Sequence, residues 1–308
     1  MDSPSSSSAS ATSLDVNGTL GALQIGVLIS YTLFGLSTNQ TYLYFGRFPN
    51  DSRKMKLLVT FVWLCELGHV VCIGHSLYSM TITDYAHPER LVNGPPVSLG
   101  ASTLLNAVIE LCVQGFFSHR IYRLSKRLFI PCLTWTLSLL FLVGTTLGFI
   151  VGLRENTLTM TETKWTWLFY SIWGVGAVND LIISATLVFW LYSKRDESHQ
   201  RTTALLDRVI AWTIETGVVT SMAAILNSVC FVTMRNNNLI WVAWYVVTAR
   251  LYSNSFLSSL NSRVTLRIMN ESQVLPLPMW NPNAVSPWMS AELPISSSSS
   301  ASLTRSLR

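Results

Sequence analysis

Six groups in this chain could do chemistry in a setting that should exclude them: Glu66, His69, Glu110, Asp180, Glu215 and Arg250 each fall in an otherwise apolar stretch. Glu66 and His69 are three residues apart, so one helix face carries both. Asn106, Glu110 and Gln114 recur at intervals of four, as do Arg250 and Asn254, and Asn179 precedes Asp180 directly. Carboxyl, imidazole, amide and guanidinium groups on facing stripes can enclose a ligand, an ion or a proton. They can equally form an interhelical polar network that sets helix register. The counts are unbalanced, with four acids facing one permanent cation. Arg250 can hold one carboxylate in a bidentate pair, and a protonated His69 would assist Glu66. The other acids must be neutral, or held by a cavity, water or a cation. Glu215 lies off its helix centre, toward the cytoplasmic side.

The elements that must position these groups follow from composition. Of 308 residues, 12% are charged and 49% hydrophobic, with 11 Trp and a mean hydropathy of +0.38. Soluble domains carry about 25% charge. A bilayer-spanning helix needs about 20 mostly apolar residues that satisfy their own backbone. Seven stretches qualify, near 19–45, 56–82, 98–119, 128–153, 166–192, 208–234 and 239–260. The expected fold is all-α, a seven-transmembrane helical bundle over 19–267. Flanking it are a disordered extracytoplasmic tail, 1–18, and a disordered, Ser- and Pro-rich cytoplasmic tail, 268–308.

Orientation follows from Lys and Arg, which concentrate in cytoplasmic loops. Sixteen of the 21 lie on the side of the first, third and fifth loops and the C-terminal tail, and four on the other side. Arg250 is the remainder. The N-terminus is therefore expected outside. Arg53, Lys54, Arg120, Arg123, Lys126, Arg127 and Arg263 make a basic cytoplasmic face suited to anionic headgroups or a cytoplasmic partner, with no nucleic acid implied. Trp165, Trp167 and Tyr170, then Trp190 and Tyr192, then Trp241, Trp244 and Tyr245 sit at expected helix ends, where interfacial rings collect. Gly26, Gly144 and Gly176 belong to small-residue surfaces suited to close helix approach. Asn17 begins the one glycosylation sequon on the outer side.

No phosphate loop, nucleophile elbow or zinc-binding helix is present, so no enzyme, cofactor or metal is expected. The five cysteines all fall within expected spans, without metal-ligand spacing. The last span has no Lys for a Schiff base.

Several segments together resemble a large fungal family, chiefly of mushroom-forming basidiomycetes. They are Trp63-Leu-Cys-Glu66 with His69 and His75-Ser-Leu-Tyr78, Val113-Gln-Gly-Phe-Phe117 with Arg120-Ile-Tyr122, and Asn179-Asp-Leu-Ile182. Further on come Ile214-Glu-Thr-Gly217 with Thr220-Ser221, and Ala249-Arg-Leu-Tyr-Ser-Asn-Ser255 running into Leu260-Asn-Ser-Arg263. The resemblance covers about 20–270. It implies a seven-span integral membrane protein with a domain of unknown function at roughly 176–264, and supplies no activity. Two functional expectations remain: a receptor-like sensor of a small ligand, or a proton- or ion-coupled carrier. A structural membrane protein is the third reading.

Overall fold

A computed structural model describes residues 17–84, 96–154, 164–196, 200–234 and 239–272. The described residues form seven long helices and no strand: α1 (Ala22–Arg47), α2 (Arg53–Tyr78), α3 (Val97–Ser125), α4 (Phe129–Arg154), α5 (Thr166–Asp196), α6 (Gln200–Met234) and α7 (Ile240–Ser272). Wider π turns, Asn17–Gly21 and Ser79–Thr83, open α1 and extend α2. Most of the expected tails and the loop 85–95 lie outside the described residues, although α7 runs past the expected bundle end at 267.

Sequence neighbours pack side by side from α1 to α7, and α7 closes the ring against α1. Helix α3 also touches α5 and α7, so it lies inward of the ring. At the α1–α7 crossing, a Cβ on Gly26 would lie 2.6 Å from the Ala243 carbonyl oxygen, so only glycine allows this approach. Serine 52 caps α2, its hydroxyl accepting from the Met55 amide at 3.3 Å. Lys126 ends α3 in the left-handed conformation, φ 56°.

Six helices among the described residues are long and apolar enough to cross a membrane, α1 through α6. Their exposed faces are apolar, as along α4, where Leu139, Leu140, Val143 and Leu147 are all exposed. Exposed hydroxyls fold back on their own helices. Thr32, Thr136, Ser171 and Thr233 each donate to the carbonyl four residues earlier, at 2.7–3.0 Å, which removes their need for water. These features fit a multi-pass membrane protein. Helix α7 differs because protein surrounds it. Val242 and Ala243 are buried, as is every residue from Tyr245 to Arg250. Its polar residues lower its hydropathy without meeting lipid.

The expected aromatic belt divides. Trp167, Tyr170 and Tyr192 are exposed, as interfacial rings would be. At α7 the expectation fails: Tyr245 is buried, the Trp241 ring packs on Trp173 and Phe231, and Trp244 Nε1 donates to the Ala223 carbonyl at 3.0 Å. These rings are packing residues.

Candidate functional site

The ionisable groups separate into two clusters. In the first, α7 aims Arg250 between α1 and α2. Its Nη1 lies 3.1 Å from Glu66 Oε1 as an ion pair without hydrogen-bond alignment. Its Nε donates to Ser30 Oγ at 3.0 Å and its Nη2 to the Glu66 carbonyl at 3.2 Å. Nη2 also lies 2.6 Å from His69 Nδ1. A guanidinium can only donate, so Nδ1 accepts and the His69 ring is neutral. The expected cationic help for Glu66 is therefore absent; His69 serves Arg250 instead. Ser37 adds a donor to Glu66 at 3.4 Å, and the Phe34 ring lies 5.5 Å from the guanidinium carbon.

The second cluster joins α3, α4, α5 and α7 around Gln114. Its Nε2 donates to Glu110 Oε1 at 3.0 Å and to Asp180 Oδ1 at 2.9 Å. Its Oε1 accepts from Ser138 at 2.6 Å and from Asn179 at 2.8 Å. Both amide protons and both lone pairs are thus used. Tyr252 donates to Asp180 Oδ2 at 2.5 Å. Among the described residues, no Lys or Arg forms an ion pair with Glu110 or Asp180. Every polar contact described above for these two acids comes from a neutral group.

Two expected members stand elsewhere. Glu215 is exposed, on a face of α6 lining an open cavity near the basic residues. It is not a buried acid, because the off-centre turn of α6 that carries it faces away from the bundle interior. Asn254 donates to the carbonyls of Leu33 and Arg250 at 3.2 and 2.8 Å, tying α7 to α1. Asn106 is buried beside Glu110 in a small void described below.

Four cavities follow one another through the bundle. The first, about 130 Å³, opens where α3, α5 and α7 begin and α4 ends; it is walled mainly by apolar and aromatic groups such as Phe149, Phe169, Trp173 and Trp241. Within its lining, Thr145 Oγ1 and Trp241 Nε1 are buried and have no hydrogen-bond partner among the described residues. Two voids of about 30 Å³ flank Tyr252, one bounded by Glu110 and the other by Asp180. The fourth, about 690 Å³, opens at the opposite end beside Arg120, Glu215 and Arg263. Neighbouring cavities share walls: Trp173 and Tyr245 first, then Thr220 and Tyr252, then Phe117, Thr213 and Ser255.

The basic residues lie at that end of the bundle, Arg120 and Arg263 in the cavity wall itself. Arg53, Lys54, Arg123, Lys126 and Arg127 are exposed. Arg120 reaches Ser259 at 3.4 Å, and Arg263 pairs with Asp51 at 2.8 Å while lying 4.1 Å from the Phe48 ring centre.

One continuous stretch supplies Arg250 to the first cluster and Asn179, Asp180 and Tyr252 to the second. Residues 176–265 match DUF6534, a family of unknown function. That domain accounts for α7 and its partners on α5 and α6, while Glu66, Glu110 and Gln114 precede it. Among curated proteins none matches the chain.

Sequence reasoning missed Ser138, Tyr252 and Ser30. A serine or tyrosine in an apolar helix carries no signal of its own, because either can bond its own helix or sit in an apolar wall. Asn227 differs, because an amide within the apolar stretch 208–234 is a signal in the sequence itself.

Proposed function

We propose that the chain is a seven-span membrane protein with its N-terminus outside, acting as a receptor-like sensor of a small, largely apolar molecule. The observation that carries this is the 130 Å³ cavity with two unpartnered polar atoms, Thr145 Oγ1 and Trp241 Nε1, in an otherwise apolar and aromatic wall. An engineered apolar cavity of about 150 Å³ takes up benzene. Here the Trp241 N–H would receive an oxygen acceptor, so the ligand class is a compact hydrocarbon bearing a carbonyl or hydroxyl oxygen. The basic loops at the far end support that orientation and offer a cytoplasmic partner an anionic match. The resemblance to fungal seven-span proteins supports the span count.

The polar clusters would carry the signal between the two mouths. The test uses a fluorophore on Ser258→Cys, in the wide cavity, in a background lacking the other cysteines. Small terpenoid alcohols and ketones should change its emission, and Trp241→Phe should weaken the response. Ligands that stabilise the protein without altering the fluorophore would remove the sensor reading.

One observation favours the carrier reading: the shared walls of the four cavities place Glu110 and Asp180 midway between two mouths. Reconstituted protein showing pH-gradient-driven uptake, lost in both Glu110→Gln and Asp180→Asn, would establish it in place of the sensor.

A further inference from the structure

We infer that the void bounded by Asn106, Glu110 and Asn227 is a binding site for a small monovalent cation, sodium by its size. The void measures about 30 Å³ and lies among α3, α5, α6 and α7. A single water needs roughly 10–15 Å³ on such a measure, so an ion fits there with a water or two.

The lining chemistry is one-sided. Asn106 and Asn227 are 1% and 3% exposed, and the Oδ1 atom of each is buried without a hydrogen-bond donor among the described residues. A buried carbonyl oxygen left unpaired costs about 1–3 kcal/mol, and the two residues that carry them line one space. The hydroxyls on the same wall spend their protons elsewhere. Thr248 donates to the Tyr245 carbonyl at 2.6 Å, Thr220 to the Gly217 carbonyl at 3.2 Å, and Tyr252 to Asp180 at 2.5 Å. Oxygen lone pairs therefore remain for the void, and oxygen acceptors are what a hard cation takes.

Charge selects the valence. Arg250 is engaged by Glu66, and Asp180 borders the neighbouring void, on the other side of Tyr252. Glu110 is the carboxyl that borders the void, and it accepts the Gln114 amide through Oε1. One carboxylate balances one positive charge. Calcium would require six to eight oxygens and magnesium several retained waters, more than the void can house. Entry is from the first cavity, whose wall shares Trp173 and Tyr245 with this one. None of this depends on the sensor reading.

The full-length chain, purified in detergent, tests the site by thermal unfolding in NaCl, KCl and choline chloride at equal ionic strength. Sodium should raise the melting midpoint saturably over choline, on the order of 5 °C at a hundredfold excess over Kd, with potassium weaker. Glu110→Gln and Asn227→Ala should each abolish the difference, whereas Asn254→Ala, outside the void, should keep it. Retention of radioactive sodium by the wild type, but not by Glu110→Gln, reports the same site without unfolding. Identical midpoints in sodium and choline would overturn the proposal and make the void a water site. A sodium effect that survives both substitutions would overturn it too, by placing the ion elsewhere.

Discussion

Arg250 Nη1 lies 3.1 Å from Glu66 Oε1, and that pairing leaves Glu110 and Asp180 to neutral partners. One cation thus serves the α1–α2–α7 side of the bundle, while an amide and a phenol serve the α3–α5 side. Breaking a buried ion pair by removing one partner strands the other charge, at about 3–5 kcal/mol. Arg250→Leu should therefore unfold at a clearly lower temperature than wild type. Glu66→Leu combined with it should lose less than the two single changes summed, because no charge is then stranded. Arg250→Lys should rescue only in part, since an ammonium lacks the fork that reaches Ser30, Glu66 and His69 together. Strict additivity in the melting data would count against the pair.

Gln114 holds the second cluster through four bonds at once. Gln114→Leu takes one partner from each of four groups. Ser138 keeps the Thr134 carbonyl, Asn179 keeps Ser138 and Asp180 keeps Tyr252. The main loss therefore falls on Glu110, about 1–3 kcal/mol for a buried group left unsatisfied. Ser138→Ala removes one donor and should cost far less. Gln114→Glu should be worse than Ser138→Ala too, because it puts a third acid where the donor stood. Expression level and melting midpoint together give the ranking.

Two glycines on α1 should respond in opposite directions. At Gly26 a methyl group would meet the Ala243 backbone at 2.6–2.8 Å, whereas at Gly35 it would meet nothing within 4 Å. Gly26→Ala should destabilise the chain by forcing α1 and α7 apart. Gly35→Ala should stabilise it by about 0.5–1 kcal/mol through helix propensity. Differential scanning of the two purified variants checks both signs.

At the basic end, Asp51 is held below its ordinary carboxyl range, first by the hydrogen bond from Arg263, with burial opposing and Tyr44 adding a second donor. A carboxyl depressed in the folded state contributes stability that is full above its unfolded value, about pH 4, and is lost as pH falls through the folded one. The side chains are 38% and 21% exposed, so solvent screens the pair to about 0.2–1 kcal/mol. The gap between wild type and Asp51→Asn should be present at pH 7, shrink below about pH 4 and shrink further with added salt. A gap unchanged from pH 7 to pH 2 would assign the loss to packing of Tyr44 and Phe48.

The seven helical stretches, the polar stripe Asn106–Glu110–Gln114 and the concentration of basic residues at one end could all be read from the chain, because each is a matter of composition and period along one helix. Backbone satisfaction without water demands helices, and helical period places i and i+4 together wherever the bundle puts them. Pairing was another matter. That Arg250 chooses Glu66 over three other acids, that His69 accepts rather than donates, that Glu215 faces outward, and that Asn106 and Asn227 share one void depend on how helices rotate about their axes. Rotation is decided by contacts between helices far apart in sequence, such as Gly26 against Ala243. Those contacts reward shape and hydrogen-bond matching in a medium where apolar burial is the same on every side, so no pattern along a single helix records them.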